Sequence, residues 1–219
     1  MAKVYYSRFL GDRWSSWDGG FELPPFPPNF DPESCTVSFA RRDGVTWCYV
    51  FEPENSKLVW CSWDGYEWTD WEGRVTLHTA PNDLIDDEEA FYSVSTHDDM
   101  EWMVAYNVED GSVFWAPWGD HGFGAWEGDE DLVDDPPNFD DETDVFVAGD
   151  GGNEWLLSVN MEDMSVFYAE WEGEEFSDWT RAPDLFIPEE WLDYVDLDGD
   201  ATDGRLTIFA TVYDEDDEL

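Results

Sequence analysis

Four tryptophans set a beat along this chain: Trp17, Trp71, Trp126 and Trp179 are separated by 54, 55 and 53 residues. The interval returns in three more columns: Trp14, Trp68, Phe123 and Phe176; Phe9, Trp63, Trp118 and Trp171; Tyr6, Trp60, Trp115 and Tyr168. Aromatic columns kept in step along a whole chain mark a repeated structural unit. A unit of about 40 to 55 residues built from short aromatic strands is the sequence form of a β-propeller blade.

One unit shows how the blade is made. Cys35 to Ala40, Thr46 to Phe51, Leu58 to Trp63 and Tyr66 to Trp71 are short runs of β-branched and aromatic residues. Turn chemistry joins them: Arg42-Asp43-Gly44, then Glu52-Pro53-Glu54-Asn55, then Asp64-Gly65. The third run places Val59, Cys61 and Trp63 on one face and Trp60 on the other. Such a sheet is apolar on both sides and must be covered by a neighbour on each. The chain opens with only a third and fourth strand (Val4 to Phe9, Trp14 to Trp17) and closes with only a first and second (Trp191 to Leu197, Arg205 to Val212). Pairing the two ends completes one blade and leaves no open edge. The expected fold is all-β: one four-bladed β-propeller over 1–219, four antiparallel strands per blade. The blades are expected at about 35–72, 90–127, 144–180, and 191–213 joined with 3–18.

Charge is the second constraint. Against 55 Asp and Glu stand 9 Lys and Arg, a formal net charge of −46, spread through every unit. Repulsion of that size opposes compaction, and molar salt, with a Debye length of about 3 Å, screens it. The composition resembles that of proteins at home in high salt, and the expectation is a protein made in the cytoplasm of a halophile or its host, associated with a virion or the cell surface and able to assemble into an oligomer or particle. It argues against nucleic acid as a partner. With 42% hydrophobic and 18% aromatic residues the chain can still build a core. The three cysteines, Cys35, Cys48 and Cys61, are too few for a disulfide framework, and Cys48 and Cys61 read as two buried thiols facing each other across a hairpin. Neither a signal peptide nor an apolar stretch of membrane-spanning length is visible.

The third-to-fourth strand turns follow one pattern, as in Asp64-Gly65-Tyr66-Glu67-Trp68, with Trp71 two residues after Thr69. The others place Trp17, Trp126 and Trp179 two residues after Ser15, Gly124 and Ser177. This pattern resembles the repeats of lectin-like β-propellers, fucose-binding and related, and a shortened sialidase Asp box. The resemblance implies sugar binding in clefts between blades, by aromatic rings stacked on sugar faces. The candidate ligand-binding residues are therefore Trp17, Trp71, Trp126 and Trp179, with Trp14, Trp68, Phe123 and Phe176. The arginines do not recur at one repeat position, which speaks against a fucose-type or sialidase-type site. The segment Asp196 to Gly204 resembles a calcium loop, with Asp196, Asp198, Asp200 and Asp203 as ligands; no other cofactor is expected.

These readings favour a protein that is not an enzyme and that recognises glycans or a protein surface through blade loops and inter-blade clefts. The runner-up is a structural or decorating component of a larger particle such as a virion, and a glycoside hydrolase comes third.

Overall fold

The computed structural model describes residues 2–27, 30, 35–52, 57–76, 90–97, 100–107, 111–119, 122–129, 132–140, 143–149, 152–192, 194–202 and 205–213. Among these, seventeen strands form four antiparallel sheets, the four blades of a β-propeller. Blade I holds β3 (Thr36–Arg42), β4 (Val45–Glu52), β5 (Lys57–Ser62) and β6 (Glu72–Thr76). Blade II holds β7 (Ala90–His97), β8 (Met100–Asn107), β9 (Ser112–Gly119), β10 (Gly122–Phe123) and β11 (Glu127–Asp129). Blade III holds β12 (Thr143–Gly149), β13 (Glu154–Asn160), β14 (Val166–Glu170) and β15 (Thr180–Ala182). Blade IV joins the ends as expected: β16 (Val195–Thr202) and β17 (Arg205–Tyr213) pair with β1 (Ala2–Arg8) and β2 (Asp18–Glu22). The closing register runs from Ala2 opposite Tyr213 to Arg8 opposite Thr207.

The first strands of the blades stand around the centre, β3 beside β7 and β16, β12 beside β7 and β16. Each is the edge of its own sheet, so its outward N–H groups need acceptors from a neighbouring blade. Side chains supply them at every interface. Val94 N–H donates to Ser38 Oγ at 2.6 Å, Val147 N–H to Ser93 Oγ at 2.9 Å, and Leu197 N–H to Asp144 Oδ2 at 3.3 Å. Asp198 closes the circle, accepting from Phe39 N–H at 2.6 Å and Ser38 Oγ at 2.9 Å. Where the repeat puts Phe146 in place of these polar side chains, its ring presses on Gly199, so close that a Cβ there would lie 2.7 Å from ring carbons.

Two expectations about strand boundaries are corrected. Three of the outer strands begin just after the tryptophan column, at Asp18, Glu72 and Thr180, not at Trp14, Tyr66 and Phe176; in blade II a two-residue strand does include Phe123, and the ladder resumes at Glu127. Between third and outer strands, Phe9–Trp14, Trp63–Trp68 and Trp171–Phe176 form single bridges. A hydroxyl then breaks the ladder: Ser15 Oγ, Thr69 Oγ1 and Ser177 Oγ accept from Arg8, Ser62 and Glu170 N–H, each at 3.0 Å. The Ser/Thr-x-Trp pattern is thus the sequence of this irregularity. In the closing blade, Trp191 stands in a 3-10 turn (Glu189–Trp191) instead of a strand. Cys48 does lie opposite Cys61, both free and fully buried. Among the described residues no helix is long and apolar enough to cross a membrane.

Candidate functional site

The tryptophan column proves to hold the chain crossovers. Trp17 Nε1 donates to Phe186 O at 2.6 Å, Trp179 Nε1 to Asp134 O at 2.6 Å, and Trp71 Nε1 to Pro24 O at 3.1 Å and Pro25 O at 3.0 Å. In each case the acceptor lies on the segment that leads into the tryptophan's own blade. Trp126 packs edge-on against Tyr92, centroids 6.5 Å apart. Trp14 is buried and donates to Pro183 O at 2.8 Å, Trp68 is buried against Phe39 and Trp63, and Phe123 is buried against Trp118. Of the eight candidates, Phe176 alone lines the cleft described next.

Asp196, Asp198 and Asp200 do not stand on a loop: they alternate along the central strand β16, and Asp203 lies outside the described residues. Asp198 is committed to the link with blade I, and Asp196 accepts from Tyr213 Oη at 2.6 Å. Burial raises both carboxyls above the usual range, Asp198 strongly, although the bonds from Phe39 and Ser38 pull its value back. Among the described residues no three His, Cys, Asp or Glu side chains come together to hold a metal ion.

A cavity of about 240 Å³ opens between blades II and III. Trp102, Trp115, Trp171 and Phe176, all half-buried, wall it together with Val104, Val113 and Val147, and Ser95 and Glu154 are its polar groups. Trp171 is the hinge of the wall, edge-on to Trp115 at 6.1 Å and to Phe176 at 5.0 Å. Its backbone N–H is fixed by Glu154 O at 2.9 Å. Ser95 Oγ is 2% exposed and has no hydrogen-bond partner among the described residues.

The neighbouring interface explains why the space exists. Strand register makes Trp47, Tyr49, Leu58 and Trp60 of blade I the counterparts of Trp102, Val104, Val113 and Trp115, and makes Glu101, Trp118 and Phe123 of blade II those of Glu154, Trp171 and Phe176. The aromatic wall is the same there, Trp60 to Trp118 at 5.1 Å and Trp118 to Phe123 at 5.0 Å. The space is nevertheless filled. Tyr49, 3% exposed, occupies it and donates its hydroxyl to Glu101 Oε1 at 3.0 Å, while Arg42 Nη1 meets Glu101 Oε2 at 2.6 Å. Burial, then the Glu101 charge, drives the Tyr49 phenol far above its ordinary value, so it stays a donor. Tyr to Val and Leu to Val at two wall positions, with Ala40 replaced by Ser95, turn a packed interface into a cleft with a hydroxyl in it. These positions were readable only as departures from the repeat, in the second strand, away from the turns that the lectin resemblance emphasises.

The fold and cleft define a four-bladed β-propeller with an aromatic inter-blade pocket. No protein-family model matches the chain, and its sequence matches no curated protein. Among solved structures it is similar to a GH43_1 enzyme from Xanthomonas citri, crystallised with xylose, at 11% identity and a TM-score of 0.41, covering 83% of this chain and 88% of that one. The expectation that the chain is not an enzyme is corrected on this finding, since the similar structure is that of an enzyme, and it is not carried further. A likeness at this level transfers no activity, substrate or residue role.

Proposed function

We propose that this protein recognises saccharides, seating a sugar ring in the cleft between blades II and III. The observation that carries the reading is the Ser95 hydroxyl, buried with no partner among the described residues on the wall of an aromatic cavity. A buried hydroxyl left unpaired costs about 1–3 kcal/mol, and a ligand hydroxyl would relieve that cost. The surrounding rings suit the apolar face of a pyranose, whose edges need polar partners such as Ser95 and Glu154. A cavity of about 240 Å³ holds about eight water volumes, the scale of one ring and not of a long chain in full.

The test is a titration with mono- and disaccharides in molar salt, followed by tryptophan fluorescence, with the same mixtures analysed for cleaved products. A saturable response lost in Trp171→Ala, with the far-UV spectrum unchanged, supports the site; a flat response from folded protein refutes it. Product release dependent on Glu154 would add turnover to recognition.

A further inference from the structure

Resting on the saccharide reading of the same cleft, we propose that the preferred sugar carries an acetyl group, whose carbonyl oxygen accepts from the Ser95 hydroxyl while its methyl packs against Val104 and Val147. The hydroxyl and the valines belong to one small patch of the wall. Ser93 and Ser95 lie on the same face of β7. Ser93 stands opposite Val104 in register and accepts from the Val147 N–H at 2.9 Å, so both valines are one step along the strand from Ser95.

Ser93 is satisfied by that bond, whereas Ser95 Oγ has no partner among the described residues. In the other blades the register position of Ser95 holds Ala40, Ala148 and Asp200. Gly149 makes the place for its hydroxyl. A Cβ at Gly149 would lie 2.5 Å from Ser95 Oγ, and the same register position carries a side chain in the other blades, as Arg41, Thr96 and Ala201. One position thus gains a hydroxyl and its neighbour gives up the side chain that would collide with it. Glu154, the other polar group of the wall, already has an interaction of its own, which leaves Ser95 as the donor in need of an acceptor.

A donor beside valines selects its acceptor. A sugar hydroxyl bonded to Ser95 would bring its own O–H into the same apolar patch, where a second partner is missing. A deoxy sugar offers a methyl without an acceptor, and a carboxylate offers a charge where the described lining residues include no Lys or Arg. An acetyl group supplies an acceptor that donates nothing and ends in a methyl, leaving Trp115, Trp171 and Phe176 to the sugar ring. Acetamide and acetate ester share this pair of groups.

Calorimetric titration in 1 M salt, where distant charges are screened, compares three methyl β-glucosides that differ at one carbon: the 2-acetamido, the 2-O-acetyl and the unsubstituted form. The better acetylated form is expected to bind about twentyfold tighter than the unsubstituted sugar, about fourfold from one buried methyl and about fivefold from one hydrogen bond. Which of the two is better tells whether the linkage is amide or ester. Ser95→Ala, which installs the alanine of blade I, should reduce the preference to about fourfold and leave the melting temperature of the free protein unchanged or higher, because a buried donor without a partner is gone. Val104→Tyr, which places blade I's own phenol in the cavity, should abolish binding of all three, and near-UV circular dichroism checks that both variants are folded. A preference no larger than about fourfold in the parent protein, or one that Ser95→Ala leaves unchanged, overturns the acetyl assignment and leaves saccharide recognition standing. Silence from all three sugars overturns both, as does acetamide binding as tightly as the 2-acetamido sugar.

Discussion

Arg42→Met separates a structural cation seat from a decorative surface pair. Glu101 is 2% exposed at its side chain, and Arg42 is 33% exposed. Removing one partner of a buried ion pair costs about 3–5 kcal/mol, because the other charge stays behind in a poor solvent. Two features lower the figure here. Arg42 is one-third in water, so part of its attraction is already screened, and Tyr49 still donates to Glu101 after the change. The expected loss is therefore about 2–3 kcal/mol. For a chain of this size that lowers the melting temperature by about 4–12 °C, at about 2–4 °C per kcal/mol. Thermal unfolding in molar salt, followed by near-UV circular dichroism, measures it. The double variant Arg42→Met/Glu101→Leu should recover most of the loss, since an apolar pair of similar volume replaces a buried ion pair at little cost. A single-variant loss below about 1 kcal/mol, or a double variant no better than Arg42→Met alone, would show that Glu101 is not confined as its burial implies.

Three further outcomes follow from the same geometry. Asp198 and Asp196 have carboxyls raised above the ordinary 3.8 by burial, so the folded state binds their protons more tightly than the unfolded chain does; this contribution is full below about pH 4 and is lost as pH rises toward the folded values. Asp198→Asn, which can still accept from Ser38 and Phe39, should equal or exceed the parent in stability at pH 7 and flatten its pH dependence above pH 4, as denaturant melts at several pH values will read. Trp179→Phe keeps an aromatic ring, though a smaller one, and removes the donor to Asp134 O; a loss of at least about 1 kcal/mol is expected, with faster amide exchange in the 132–140 segment, and no change in exchange would refute the hold of Trp179 on that crossover. Melting temperature should climb steadily from 0.1 to 2 M potassium chloride, as repulsion within a chain of net charge −46 is screened; a flat profile would contradict the high-salt reading.

The architecture was legible because packing in a ring imposes the same demand four times. Many aromatic residues that pack the interfaces recur at a fixed interval, so the columns of Trp63 and Trp60 spell out blades before any strand is drawn. The closing blade was legible because its halves are complementary in strand number. The outer strands were misplaced because Tyr66 to Trp71 is as aromatic as a strand, whereas a Ser or Thr side chain takes over the ladder there and delays regular pairing to Glu72. The Asp196 to Asp200 alternation misled for the opposite reason. Asp and Gly disfavour strands, and only the ring shows that a central strand needs an acceptor at Asp198 and no side chain at Gly199. The cleft was visible one residue at a time, as Val104 where Tyr49 stands and Glu154 where Glu101 stands, but without register nothing places these changes on one wall.

Such a wall is not the natural end point of a repeat. An unfilled cavity of about 240 Å³ forgoes the contacts that packed side chains would make there, and the half-buried rings at its rim leave it open to water. A remedy stands in the adjacent interface, where Tyr49 and Leu58 fill the same space against the same pair of rings and the phenol finds its acceptor on the same glutamate position. Val104 and Val113 forgo it, and Ser95 adds a buried hydroxyl where blade I has an alanine. Three departures at one interface, each enlarging or polarising the same space, are the observations that support the saccharide reading proposed for it. Local rules broken without compensation elsewhere in the fold are where function is expected to sit, and here they converge on the rings of Trp102, Trp115 and Trp171.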